Sequence, residues 1–240
     1  MKLRLTVFAL ALLLPLSAAA QDEAARYLKE ADAAALLYRG HKAFSYPMAF
    51  NGTYFWEGPA FRTGEVVYNG KRYANLLLNV DAARQDLVVK TPSGGADKVL
   101  ARDLVERFTL DKSHFLNLEK VYGPDSPSGF WEVLYDGNAK VVRQVTRMLR
   151  QDLDGTLRMQ MGYDISTYRN NVHNTFIIET AVCLIDPSGQ IIPVRRRSQL
   201  MKLYKNHKRE INRYMSRLEA TTRLELADFC KAVVAYAETL

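Results

Sequence analysis

Turn-forming residues recur through residues 46–194: Asn51-Gly52, Asn69-Gly70, Pro92-Ser93-Gly94-Gly95, Asp136-Gly137 and Asp186-Pro187-Ser188-Gly189. Between them lie short apolar runs of strand length. Tight turns of this kind join antiparallel neighbours, whereas parallel strands need a crossover of about a dozen residues or more. The punctuation therefore commits this part of the chain to an antiparallel sheet.

The clearest hairpin is predicted at 65–68, Asn69-Gly70 and 72–80, because Asn-Gly tolerates the positive φ angles of a two-residue turn. In its second strand, strict alternation puts Ala74, Leu76, Leu78 and Val80 on one face. Tyr73, Asn75, Leu77 and Asn79 then take the other, so one face is apolar and the other mixed. Further strands are expected at 87–90, 99–100 and 105–110. Residues 123–129 read as a loop. A second hairpin is expected at 130–135 and 140–147. The polar stretch 151–174 reads as a long exposed hairpin loop, and 175–185 and 190–194 as the last strands.

The tail changes period. Ile211, Tyr214, Met215 and Leu218 form one helical stripe; Leu226, Phe229, Cys230, Val233, Val234 and Ala237 form another. Asn206 is placed to cap the first. Thr222-Arg223-Leu224-Glu225 has the capping-box pattern for the second. Such short helices cannot bury their stripes alone and must pack on the sheet or each other. A helix is also expected at 22–39, stopped by Gly40. The fold class expected is α+β: a curved or barrel-like antiparallel sheet with a C-terminal pair of amphipathic helices and a short N-terminal helix. The expected divisions are 1–20, 21–45, 46–197 and 198–240, the last packed on the β domain.

Residues 1–20 have a basic start (Lys2, Arg4), an apolar run and the small-residue end Ser17-Ala18-Ala19-Ala20. This is the pattern of a secretory signal peptide cut after Ala20. The apolar run is short of the roughly 20 residues that span a bilayer. An exported protein of the periplasm, outer-membrane surface or extracellular space is expected, not a transmembrane one. Export also permits a disulfide between Cys183 and Cys230, though burial as free thiols fits their apolar settings as well.

The formal net charge is +7, or +5 without Lys2 and Arg4. It is concentrated at Arg195, Arg196, Arg197, Lys202, Lys205, Lys208, Arg209, Arg213 and Arg217, opposed only by Glu210. The remainder is mildly acidic. For an exported protein the anions such a face meets are lipid headgroups, lipopolysaccharide phosphates or an acidic envelope protein, not nucleic acid. The same charges would also serve a solvated helix face.

No sequence motif carries catalysis. The histidines show no helical metal-pair spacing, and Cys-x-x-Cys, Gly-x-Ser-x-Gly and glycine-rich phosphate loops are all missing. No catalytic residue, metal ligand set or cofactor is expected. Asp81, Asp86, Asp97, Asp103, Glu106 and Asp111 are numerous enough to contain a hydrolytic pair, which sequence alone does not reveal. Tyr54, Phe55, Trp56 and Trp131 stand out as a possible aromatic ligand surface, because flat rings stack on the apolar faces of glycans and lipids. The competing reading is that they fill the sheet core.

Several segments carry a resemblance: Phe50-Asn51-Gly52-Thr53-Tyr54, Gly64-Glu65-Val66-Val67-Tyr68-Asn69-Gly70-Lys71-Arg72-Tyr73 and Leu78-Asn79-Val80-Asp81. With them go Asp86-Leu87-Val88-Val89, Phe130-Trp131-Glu132-Val133-Leu134-Tyr135-Asp136-Gly137 and Ile192-Pro193-Val194-Arg195-Arg196-Arg197-Ser198-Gln199-Leu200. From about Tyr46 onward the chain resembles a group of small secreted β-rich proteins of Bacteroidota without established activity. The resemblance implies an envelope or extracellular setting and no reaction. The expected function is an exported, non-enzymatic binding or accessory protein of the cell envelope. The alternatives are a glycan-directed hydrolase and a lipid-carrying barrel-like protein.

Overall fold

A computed structural model describes residues 36–92, 94–151 and 174–240, without the side chains of Met201, Lys202 and Lys205. The expected signal segment 1–20, residues 21–35 of the N-terminal segment and residues 152–173 lie outside the described residues.

The strands are β1 (Arg62–Tyr68), β2 (Lys71–Asp81), β3 (Asp86–Val89), β4 (Lys98–Leu100), β5 (Val105–Leu110), β6 (Ser113–Asn117), β7 (Phe130–Asp136), β8 (Lys140–Gln151), β9 (Asn174–Ile185) and β10 (Ile191–Val194). All pair antiparallel in one sheet, ordered β10-β9-β8-β7-β6-β5-β1-β2-β3-β4. Two meanders thus run in opposite directions from the β1–β5 pair. The sheet is not closed; β4 and β10 are its edges. Helix α1 (Leu118–Tyr122) follows β6, and the tail forms α2 (Leu200–Leu203), α3 (Lys208–Thr221) and α4 (Leu226–Ala237). The protein is α+β, an antiparallel sheet with C-terminal helices.

Asn69 and Gly70 take φ angles of 49° and 72°, the left-handed pair that the β1–β2 turn requires. The alternation predicted for β2 fails at one point. Asn75 sits at φ 56°, and the register slips so that Gly64 faces Leu76 while Val66 faces Tyr73. This bulge sets two residues of β2 against Glu65 and reverses the faces beyond it. Tyr73 therefore packs with Leu76 against the core that holds Leu78 and Val80. Strand β6 and helix α1 were not legible in the sequence. The β5–β6 turn at Asp111 and Lys112 contains no Gly or Pro, yet Asp111 adopts φ 51°. Asp tolerates that conformation, which was the available signal.

Three apolar clusters hold the fold. The first surrounds Val66, Leu78, Val80, Phe108 and Phe115, and Trp56 lies edge-on to Phe115 at 5.0 Å. The second is where the tail docks: Val141, Val182, Leu184 and Val194 meet Ile211, Met215, Phe229, Val233 and Val234. The third, on the opposite face of β7–β9, contains Trp131, Val142, Cys183 and Ile185 under Leu118 of α1. Pairing of Val141 with Leu184 and of Val142 with Cys183 shows the period-2 alternation that feeds both clusters.

That alternation also separates the cysteines. Cys183 belongs to the third cluster and Cys230 to the second, and both are free and buried. Burial pushes their thiols up to about 11 and about 12, leaving little of the reactive thiolate.

The tail helices begin and end differently from the predicted caps. Thr222 closes α3, its N–H donating to the Leu218 carbonyl at 2.9 Å. Helix α4 begins after Glu225 with no side-chain cap, and α3 begins after His207 instead of Asn206. Of the helix expected at 22–39, the described end is helical at Leu36 and Leu37, and Leu37 is fully buried. Gly40 follows because a Cβ there would overlap the Val99 carbonyl oxygen.

Residues 41–61 form a strap. Lys42 bridges to Lys98, the Asn51 N–H donates to the Asn174 carbonyl, and Phe55 bridges to Asp81. The strap thus ties the β4 edge to β9 and then to β2. Nearby, the β2–β3 turn reaches β8: the Arg147 N–H donates to the Ala82 carbonyl, and Gln85 Nε2 donates to that of Val145.

Candidate functional surfaces

Two surfaces gather the residues that the sequence marks as candidates. The first is the basic face. Burial of Ile211 and Met215, flanked by Tyr214 and Leu218, against the second core turns the opposite side of α3 outward. Lys208, Arg209, Arg213 and Arg217 are exposed and form no ion pair among the described residues, as do Arg195 and Arg196 just after β10. Arg209, Arg213 and Arg217 follow one another at four-residue spacing. Like charges at that spacing destabilise a helix by about 0.2–0.5 kcal/mol per pair. Arg197 stands apart from this face. Its guanidinium lies 4.4 Å over the Phe229 ring, pairs with Glu219 at 3.2 Å and donates to the Leu224 carbonyl, so it clamps the tail. The side chains of Lys202 and Lys205 lie outside the described residues.

The second surface is aromatic. Alternation along the strap sends Phe55 and Trp56 to opposite sides. Trp56 enters the core and is 5% exposed; Trp131 is 3% exposed in the third cluster, its Nε1 donating to the Ser128 carbonyl. Both tryptophans are therefore packing residues, and they belong to different clusters. Tyr54 and Phe55 remain half-buried and line a pocket of about 320 Å³ together with Phe44, Phe61, Asp81 and Val88. Behind it Tyr46, Phe50, Tyr54 and Phe176 pack ring against ring at 4.9–5.9 Å, anchoring the strap on β9.

Asp81 is the residue that sequence reading placed only among many carboxylates. It ends β2 and is 3% exposed. Its Oδ1 accepts the Ala83 and Arg84 N–H groups, both at 3.0 Å. Desolvation, partly offset by these bonds, pushes its carboxyl up to about 6. Burial and the nearby Asp81 charge raise the Tyr46 and Tyr54 hydroxyls as well. The signal that could have found Asp81 was its position at the end of an apolar strand, just before a polar turn.

Of the other carboxylates, Asp97 lines the same pocket and Asp86 pairs with Arg84 at 3.3 Å. Asp103 lines a separate cleft with Arg102 and Lys120, and Asp111 lies 3.8 Å from Arg62. Among the described residues no three His, Cys, Asp or Glu side chains gather closely enough to hold a metal ion, and no helix is long and apolar enough to cross a membrane.

No family model matches the sequence, and no curated protein or solved structure is significantly similar to it.

Proposed function

We propose that this chain is an exported, non-enzymatic binding or accessory protein of the cell envelope that holds an anionic envelope component on the basic face of α3. One observation carries the reading: an exposed row of cations that costs helix stability and has no acidic partner among the described residues. An anionic surface would offset that cost. The reading takes the sheet as strongly curved, a partial barrel, which the bonding of the β2–β3 turn to β8 supports. The setting follows from the signal-like start and the resemblance to secreted proteins of Bacteroidota.

The lipid-carrier alternative is weaker, because Trp56, Phe108, Phe115 and Phe130 fill the first cluster with contacting rings. A glycan-directed hydrolase keeps one point in its favour: Asp81 and Asp97 share a pocket.

The test replaces Arg209, Arg213 and Arg217 by Gln, a good helix former. At low salt the parent should sediment with vesicles containing phosphatidylglycerol, and the triple variant should bind at least about tenfold less. Parent binding should also fall with salt, because exposed charges are screened over about 8–10 Å at physiological ionic strength. A parent that ignores anionic vesicles at low salt defeats the proposal. The export half is checked separately by mass spectrometry of the protein from its native cells. Its first residue should be Gln21; an intact Met1 on cytoplasmic protein would refute export.

A further inference from the structure

The aromatic pocket lies outside the basic face and has a chemistry of its own. Its rings are Phe44, Tyr54, Phe55 and Phe61; Lys42, Ser45 and Asp97 also line it from more exposed positions, and its one buried charge is Asp81. Both backbone N–H groups that reach this carboxylate bond to Oδ1. Among the described residues Oδ2 has no hydrogen bond and Asp81 no ion pair. The cation whose charge acts on Asp81 is committed elsewhere: Arg84 pairs with Asp86 and lies 4.7 Å from the centre of the Phe44 ring, while Lys42 at the exposed rim makes no ion pair with Asp81. Lys90 similarly sits 5.8 Å from the Phe61 ring. Two of the site's rings thus already attract cations, as their negative faces dictate.

A buried carboxylate is costly unless a positive charge or further donors satisfy it. Three of the four rings are phenylalanines and offer no hydrogen bond, so the aromatic side of the pocket suits an organic cation, while the polar groups Lys42, Ser45 and Asp97 lie at more exposed positions. The volume is at the small end of ligand pockets, roughly 300–1,000 Å³. We propose that this pocket binds a small organic ammonium ion, with the rings facing the cation and the Asp81 carboxylate neutralising it. The shared chemistry is the ammonium group, whether free or on a lipid headgroup.

Several titratable groups surround Asp81. Arg84 and Asp86 come from the β2–β3 turn, Lys42, Tyr46 and Tyr54 from the strap, and Asp97 from the segment before β4. Asp81 carries the titration near neutral pH: burial moves it to about 6, and a bound cation would favour its ionised form.

Titration calorimetry on the full chain tests this with choline, glycerophosphocholine and glucose. Choline should bind saturably at about pH 7.5 and roughly tenfold more weakly at about pH 5, where about one-tenth of Asp81 would be ionised. Asp81→Asn keeps an oxygen for the two backbone N–H groups and should weaken choline at least about tenfold, its fold checked by melting. Phe55→Leu keeps an apolar wall without a π face and should also weaken binding. Equal affinity for choline and glycerophosphocholine would support recognition of the ammonium group itself, and a preference for either would assign the source. No saturable choline binding at millimolar concentration overturns the proposal. So does binding unaffected by Asp81→Asn, or a site that takes glucose and refuses choline. None of these outcomes depends on the basic face.

Discussion

Phe229→Ala is expected to destabilise the protein by about 3–5 kcal/mol, the range for emptying a large buried aromatic site. Phe229 has no exposed surface and sits where α4 meets the sheet, among Val141, Val182, Leu184 and Val233. Two losses combine there. The ring leaves a cavity between two rigid layers, which a helix docked on a sheet cannot easily collapse. Arg197 also loses the ring beneath its guanidinium, so the clamp between the segment after β10 and the tail loosens. For a chain of this size the shift in Tm should be about 6–20 °C. A thermal melt by circular dichroism measures it. A variant that melts with the parent would mean that the tail contributes nothing to the cooperative unit, contrary to the buried contacts.

Asp81→Asn is expected to act in the opposite direction at alkaline pH. The folded carboxyl sits at about 6, above the 3.8 of an unperturbed aspartate. Between those values the folded state binds more protons than the unfolded one, so stability from this group is present at low pH and is lost as pH rises through about 6. At about pH 8 the ionised group costs on the order of 3 kcal/mol, at 1.36 kcal/mol per pKa unit. Removing the charge while keeping the oxygen should raise stability by up to about that amount at pH 8 and by little at pH 4. Urea melts of parent and variant at the two pH values decide it. An equal difference at both would show that Asp81 is not held in its neutral form by burial. A stabilising change that abolishes ammonium binding would fit a charge kept for a ligand, since functional sites commonly sacrifice stability.

Much of the architecture was legible because its signals are local. Asn69-Gly70 announced a hairpin through the positive φ angles its residues accept, and Asp136-Gly137 marked the β7–β8 turn, which forms without any positive φ at either residue. The tail stripes announced two helices, and they bury Ile211 and Met215 of the first and Phe229, Cys230, Val233 and Val234 of the second, with Ala227 besides. Where the signal was weak or shared, sequence reasoning missed. The turn at Asp111 lacks glycine, so β6 went unseen. The Asn75 bulge leaves no mark in a pattern of alternating residues, so Tyr73 was placed on the wrong face. The pattern Thr222 to Glu225 fits a capping box, yet the chain there is spent closing α3.

By itself, then, the sequence determined the antiparallel sheet, the helical tail, the centre of the tail's buried stripes (Tyr214, Leu218, Leu226 and Ala237 at their margins are only half-buried) and where positive charge accumulates. These follow from turn chemistry, side-chain period and composition, which act over a few residues. Tertiary structure alone decided which aromatics are buried and which line a pocket. It buried Trp56 and Trp131 while leaving Phe55 beside Asp81, and it diverted Arg197 from the basic face into a clamp on Phe229. Those outcomes depend on which distant segment covers a residue. The strap from residue 41 to 61 covers the end of β2 only because the sheet brings β4, β2 and β9 within its reach, and no local pattern encodes that approach.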